Sequence, residues 1–172
     1  MHHLFETGIF MRKEQTDLLR RMPAFGGLQN ESIELILFHS REWVLEANDY
    51  FFREGEPGDS LFVIEIGTVL IQRSWKGTPI VLGRLAGGDC FGEMSLIDFQ
   101  KRSASVIAES SCQAIEVPSK SLRSLFQHDL EQYAMIMMNL GREVSRRLRA
   151  ADECLFQLQQ DPTMAIESRV AT

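Results

Sequence analysis

"LFVIEIGTVLIQRSWKGTPIVLGRLAGGD" runs from Leu61 to Asp89 and carries the fold class of this chain. It consists of short runs rich in Val, Ile and Leu, separated by Gly67, Gly77, Gly83 and the Gly87-Gly88 pair. Its longest apolar stretch, Leu61 to Ile71, is interrupted by Glu65 and Gly67 and is too short to cross a bilayer as a helix. The same texture extends outward from about 42 to 117. "REWVLE" and "YFFREGEPGDS" precede the stretch, and "SASVIAE" and "CQAIEVP" follow it. Eight of the twelve glycines fall between Gly55 and Gly92. Many short strands with closely spaced turns predict an all-β sandwich or roll. "EGEPGD" (54–59) and "WKGTP" (75–79) read as hairpin turns, because Gly supplies positive φ and Pro sets φ in advance.

Both flanks change texture. Residues 1–40 read as a helical segment, with "KEQTDLLRRM" (Lys13–Met22) stopped by Pro23 and Asn30 expected to cap "ESIELILF". Met1 to Phe10 is expected to be a mobile or partner-bound segment. Residues 41–118 form the roll. Residues 119–159 are expected to be helical again, with Ser119 as a cap, and 160–172 read as a tail. From Leu130 to Gln159 there is no proline. Tyr133, Met137, Leu140, Val144, Leu148, Ala151, Leu155 and Leu158 recur about every 3.5 residues, the spacing of a helix-pairing seam. A helix of that length, roughly 45 Å, cannot hide the whole seam against a small roll, so a homodimer through residues 133–158 is expected.

Composition narrows the function classes. The 172 residues are 44% hydrophobic and 24% charged, enough for one cored domain, with net charge −6. That balance gives no global attraction to nucleic-acid phosphates. After Leu158 only about fourteen residues remain, so direct DNA binding through a helix-turn-helix is not expected on this chain. The arginines Arg142, Arg146, Arg147 and Arg149 read as a solvated helix flank. No signal peptide is evident and no membrane association is expected. Cys90, Cys112 and Cys154 show no ligand or pairing pattern, which fits reduced thiols in a cytoplasmic protein. The histidines (His2, His3, His39, His128) are scattered, so neither a metal site nor a metal-dependent enzyme on a similar roll is expected. No nucleophile–base set is present, so no catalytic residue is assigned.

The chemistry concentrates in "FGEMSLIDFQKRSAS", residues 91 to 105. An apolar run opens with Gly92-Glu93 and closes with Lys101-Arg102-Ser103-Ala104. "EMSLID" can form one or two helical turns, whose first N–H groups suit an anion. Glu93 is wrong for a phosphate but right for accepting a hydroxyl beside one. Arg102 offers a planar fork of donors for phosphate oxygens. A ligand with a phosphate and a neighbouring hydroxyl would use both.

Phe91-Gly92-Glu93-Met94-Ser95-Leu96, followed by Arg102-Ser103-Ala104-Ser105-Val106, resembles the phosphate-binding cassette of cyclic nucleotide-binding domains, the family of the catabolite activator protein and the protein kinase A regulatory subunits. "GEPGDSLFVIEIGTV" is similar to the family's hairpin region, and the resemblance covers roughly residues 25–158. It implies a mainly β jelly roll (double-stranded β-helix-like) with N-terminal helices and a long C-terminal helix, in a stand-alone bacterial-type member without a DNA-binding domain. It implies that Phe91, Gly92, Glu93, Met94, Ser95, Arg102, Ser103 and Ala104 bind cAMP or cGMP, with Glu93 on the ribose 2′-OH and Arg102 on the exocyclic phosphate. Ala151 and Asp152 fall where the base would be met. No cofactor beyond that ligand is implied. The expected function is a cyclic nucleotide sensor that signals through its C-terminal helices to an unidentified protein partner. The alternative is a roll that binds a protein and no nucleotide.

Overall fold

A computed structural model describes residues 13–160. The readings of Met1–Phe10 and of the tail beyond Gln160 lie outside the described residues. An N-terminal helix α1 (13–21) ends before a 3₁₀ turn, Pro23–Phe25, and α2 spans Asn30–Phe38. Eight strands follow: β1 (Arg41–Leu45), β2 (Tyr50–Phe52), β3 (Ser60–Ile66), β4 (Thr68–Trp75), β5 (Thr78–Ala86), β6 (Cys90–Phe91), β7 (Ser105–Ala108) and β8 (Cys112–Pro118). A short helix α3 (Glu93–Asp98) sits between β6 and β7, and α4 (Ser119–His128) and α5 (Leu130–Gln160) close the chain. The strands form two four-stranded antiparallel sheets, β1-β8-β3-β6 and β2-β7-β4-β5. This is the roll that the strand spacing predicts, and the jelly roll that the resemblance implies.

Two apolar layers meet at the first sheet. Phe62 and Ile64 of β3 point into the roll with Phe51, Phe52, Phe91 and Val106. Leu61 and Val63 point the other way, into a cluster with Leu19, Phe25, Ile36, Leu125, Ile136 and Leu140 from the helices. β3 is therefore buried on both faces, which is why "LFVI" is a continuous apolar run instead of an alternating one. β8 is shared in the same way, with Ala114 facing the roll and Ile115 and Val117 facing the helices. Full burial of each such side chain stabilises by about 1.5–3 kcal/mol. The second sheet is more open, and its edge strand β5 is mostly exposed.

Several local readings need correction. "WKGTP" is a two-residue hairpin, with Lys76 (φ 50°) and Gly77 (φ 82°) both left-handed between Trp75 and its partner Thr78. "EGEPGD" is not a hairpin turn, because it joins β2 in one sheet to β3 in the other. Asn30 is the first residue of α2 rather than its cap, and its Oδ1 instead accepts from Arg20 Nη2 at 2.6 Å. Ser119 likewise lies inside α4, whose cap position is Pro118.

Helix α5 is 31 residues long, and its predicted seam splits in two. Leu140 is fully buried against the protein's own core, and Tyr133 and Met137 pack beside it. Leu148, Ala151 and Leu155 are exposed. The face that docks on the roll runs instead through Gln132, Ile136, Asn139, Leu140 and Glu143. Gln132 Oε1 accepts from Gln29 N at 2.8 Å, and Asn139 Nδ2 donates to Gly26 O at 2.8 Å, pinning α5 to the N-terminal turn.

Candidate functional site

The cassette is positioned by three backbone devices. β6 pairs Phe91 with Phe62 of β3. Gly92 then turns the chain with φ 81° into α3, and Phe99 (φ 57°) ends that helix. The returning segment is stitched to the β2–β3 loop, Gly55 N donating to Arg102 O at 2.8 Å and Arg102 N donating to Glu56 O at 2.9 Å. The loop mistaken for a hairpin is thus the clamp that holds Arg102.

Arg102 is 5% exposed and lies inside the roll. Its Nη1 donates to Ser60 O (2.8 Å), Gly92 O (2.9 Å) and Ser95 Oγ (3.0 Å), and Nη2 donates to Ser60 Oγ (3.1 Å). The guanidinium lies over the Phe52 ring, 4.0 Å from its centroid, a cation–π contact at a desolvated site. Among the described residues no carboxylate forms an ion pair with it, and its buried Nε has no hydrogen-bond partner. Burial lowers its pKa from the ordinary arginine value, opposed by the charges of Asp59, Glu116, Glu56 and Glu93 in that order. An arginine kept charged in such a place retains an unspent donor, which suits an anion. Two glycines make room for it. A Cβ on Gly58 would stand 2.3 Å from Arg102 Nε, and one on Gly92 would stand 2.6 Å from Nη1.

Glu93, 3% exposed, is the second buried charge. Its Oε1 accepts from Arg147 Nη1 at 3.0 Å, across from α5. Arg147 also donates to Cys90 O, and through Nε to Glu143 Oε1 at 3.1 Å. One arginine therefore ties the cassette, β6 and the long helix together. Cys90 beneath it is inert, its thiol pushed up to about 12 by burial and by the Glu93 charge.

Glu143 is held below the usual carboxylate range, first by the hydrogen bond from Arg146, then by the charge of Arg147, against the cost of burial. A carboxylate depressed in the folded state contributes stability that is fully present above its unfolded pKa and is lost as pH falls through its folded value. Acid should therefore loosen α5, and Glu143→Gln should flatten that acid limb. Thermal denaturation between neutral and acid pH checks this.

The eight cassette residues expected to bind ligand all line one cavity, together with Phe52, Ile71, Val106 and Arg147. Ser103 is at the mouth, its Oγ 3.8 Å from Met94 Sδ. Ala151 and Asp152 are exposed on α5 and do not line the cavity. Arg147 is the residue that sequence reasoning missed. Nothing in "GREVSRRLRA" separates it from Arg142, Arg146 and Arg149, and only the rotation of α5 turns it inward. The cavity measures about 100 Å³. That is well short of the roughly 300–1,000 Å³ of pockets that enclose a small molecule. No group of His, Cys, Asp and Glu that could hold a metal occurs among the described residues, and no described helix is long and apolar enough to cross a membrane.

Comparison with known proteins agrees with this geometry. Residues 42–129 match the family model described as "Cyclic nucleotide-binding domain". The chain is 31% identical over 139 residues to the Cyclic AMP receptor protein of Thermus thermophilus, covering 78% of this chain and 61% of that protein. It is 30% identical over 110 residues to a cGMP-dependent protein kinase, isozyme 2, of Drosophila melanogaster, covering 63% of this chain and 12% of the kinase. It therefore spans less than two thirds of the length of either relative. A crystal structure of a cyclic nucleotide-binding domain from Methylobacillus flagellatus superposes with a TM-score of 0.75 at 21% identity, over 86% of this chain and 83% of that one. The family model covers just over half of the 172 residues, those that build the roll, the cassette and Arg102, and on that match this chain belongs to the cyclic nucleotide-binding domain family.

Proposed function

We propose that the protein is a cyclic nucleotide sensor in which Arg102 takes the cyclic phosphate, Glu93 accepts the ribose 2′-OH, and Arg147 passes binding to α5. The reading rests above all on Arg102, a buried guanidinium without a carboxylate partner and with an unspent donor, next in sequence to Ser103 at the cavity's mouth. Gly92, Met94 and Ala104 would contribute backbone groups, and Phe52, Ile71 and Val106 an apolar floor. In a 3′,5′-cyclic nucleotide the 2′-OH is the one free ribose hydroxyl, so Glu93 tests for ribose over deoxyribose. No catalytic step is assigned; the chemistry is recognition.

The small cavity bears on mechanism. Phosphate and ribose cannot enter without displacing walls, and the wall that would yield is the Arg147 side chain, carried on α5 and part of the cavity lining. Glu93 Oε1 already accepts from Arg147, so a ligand hydroxyl would be accepted beside that bond, on a carboxylate that α5 holds. Ligand then shifts α5 between positions by the difference in its affinity for them. The readout passes along α5 to a second copy or to a protein partner.

Two expected results follow. After unfolding and refolding to strip bound nucleotide, calorimetry should find cAMP or cGMP binding at micromolar or tighter affinity, and the 2′-deoxy analogue should bind about tenfold or more weakly, as a buried polar acceptor is left unmet. Absence of heat and of thermal shift with both nucleotides would leave a roll kept for protein contacts. Arg147→Ala should lower stability by about 1–3 kcal/mol by leaving Glu93 buried without its partner. It should also abolish any ligand-dependent change in hydrogen exchange over 148–160, even where nucleotide still binds.

A further inference from the structure

Helices α1 and α2 face each other across a cavity of about 460 Å³, larger than the cassette cavity and within the range of roughly 300–1,000 Å³ of pockets that take a small molecule. Lys13, Asp17 and Arg20 line it from α1, four and three residues apart on one helical face. Asn30, Glu34 and Leu37 line it from α2 with the same spacing. One end is tied together, where Arg20 Nη2 donates to Asn30 Oδ1 at 2.6 Å and stands 3.9 Å from Asp17 Oδ1. Lys13 and Leu37 therefore lie toward the other end, with Asp17 and Glu34 between.

Lys13 and Glu34 are charges without partners. They border the same cavity with opposite signs, yet among the described residues neither forms an ion pair or a side-chain hydrogen bond, with the other or with anything else. The space that keeps them apart is the space a bridging ligand would fill. An anion there would meet the carboxylates of Asp17 and Glu34, and a cation would meet Lys13 and Arg20. A ligand that carries both charges finds an opposite one at each end, which selects it over either. We propose that this cavity binds a free α-amino acid with an aliphatic side chain, such as leucine. Its ammonium sits between Glu34 and Asp17, its carboxylate at Lys13, and its side chain along the half-buried Leu37. The long contact of Asp17 with Arg20 leaves that carboxylate able to accept from an ammonium.

The turn that joins the two walls also seats the long helix. Gln29 N donates to Gln132 Oε1, and Asn139 Nδ2 donates to Gly26 O. A ligand that fixes the spacing of α1 and α2 thus bears on the position of α5. That effect on signalling rests on the proposed nucleotide sensing; the binding itself does not.

Calorimetric titration of the whole chain with L-leucine, without nucleotide, tests it. Saturable binding at millimolar or tighter affinity is expected. N-acetyl-L-leucine lacks the ammonium and L-leucinamide lacks the carboxylate. Each should bind about tenfold or more weakly, as hydrogen bonds to charged groups are lost. Glu34→Gln and Lys13→Gln should each weaken leucine itself by a similar factor. Both side chains are exposed, so unchanged helical circular dichroism controls for folding. No saturable binding of L-leucine overturns the site. Binding that survives both substitutions places the amino acid elsewhere and overturns it equally. N-acetyl-L-leucine binding as tightly as leucine overturns the pairing of its ammonium with Glu34 and Asp17. Leucine binding as expected beside no heat from cAMP or cGMP removes the sensor reading alone, and heat from nucleotide with none from leucine removes this inference alone.

Discussion

Arg102→Ala is expected to weaken cyclic nucleotide binding by tens- to thousands-fold. Removing one partner of a desolvated, hydrogen-bonded charge contact typically costs about 2–5 kcal/mol, much of it the penalty of leaving the other charge unpaired. In the proposed complex that other charge is the phosphate. In the free protein the same side chain donates to Ser60 O, Gly92 O, Ser95 Oγ and Ser60 Oγ, so the substitution also releases the link between β3 and the cassette. Arg102→Lys separates the two effects. It keeps the charge, but its ammonium cannot reproduce the planar fork or lie flat on Phe52, so it should recover stability better than affinity. Calorimetric titration beside thermal denaturation of both variants reads the difference. Near-normal affinity in Arg102→Ala would remove Arg102 from the phosphate site.

The second large effect is expected at Gly92→Ala. Its backbone has φ 81°, a region where a non-glycine residue costs on the order of 1–3 kcal/mol. The added Cβ would also meet Arg102 Nη1 at 2.6 Å and Ser60 O at 3.2 Å. Of these the carbonyl is fixed by β3, so the guanidinium has to yield. The variant should lose stability by that amount and bind nucleotide at least about tenfold more weakly, because a displaced guanidinium would no longer stand where the proposed site needs it for the phosphate. Chemical denaturation gives the first quantity and calorimetry the second. Gly58→Ala is the companion variant: its φ lies outside the left-handed region, yet its Cβ would stand 2.3 Å from Arg102 Nε. It should impair binding with a smaller loss of stability, which distinguishes backbone strain from a crowded arginine.

How far these conclusions could be read from the residues depends on the range of the interactions involved. The strands were legible because their signal is local: β-rich runs and glycine turns between 42 and 117. The cassette was legible because Gly92, Glu93 and Arg102 sit within eleven residues, and the structure brings all three to one cavity. "EGEPGD" misled because turn residues mark a change of direction without saying which sheet receives the chain. Asn30 misled because a capping side chain can also be drawn off, here by Arg20. Apolar spacing gives the period of α5 but not its rotation, and the buried polar residues Gln132, Asn139 and Glu143 occupy the docking face as fully as Ile136 does. The role of Arg147 depends on that same rotation, so it became visible only once β6 and α5 were in place.

The two-sided burial of β3 has a consequence for what counts as a unit in this protein. The stretch shared with the family, 42–129, contains the roll and the cassette. Yet more than half of the buried residues packed on the outer face of the first sheet, from Leu19 to Ile36 and again at Ile136 and Leu140, lie outside it. The stretch that matches the family model is therefore smaller than the folding unit. Cut at 42 and 129, the segment would retain Arg102, Glu93 and α4, while Leu61, Val63, Ile115 and Val117 would lose the cover of the other helices, exposing part of an apolar sheet face of the kind that drives aggregation. The helices thus belong to the folding unit as fully as the roll does, because they cover the outer face of its first sheet.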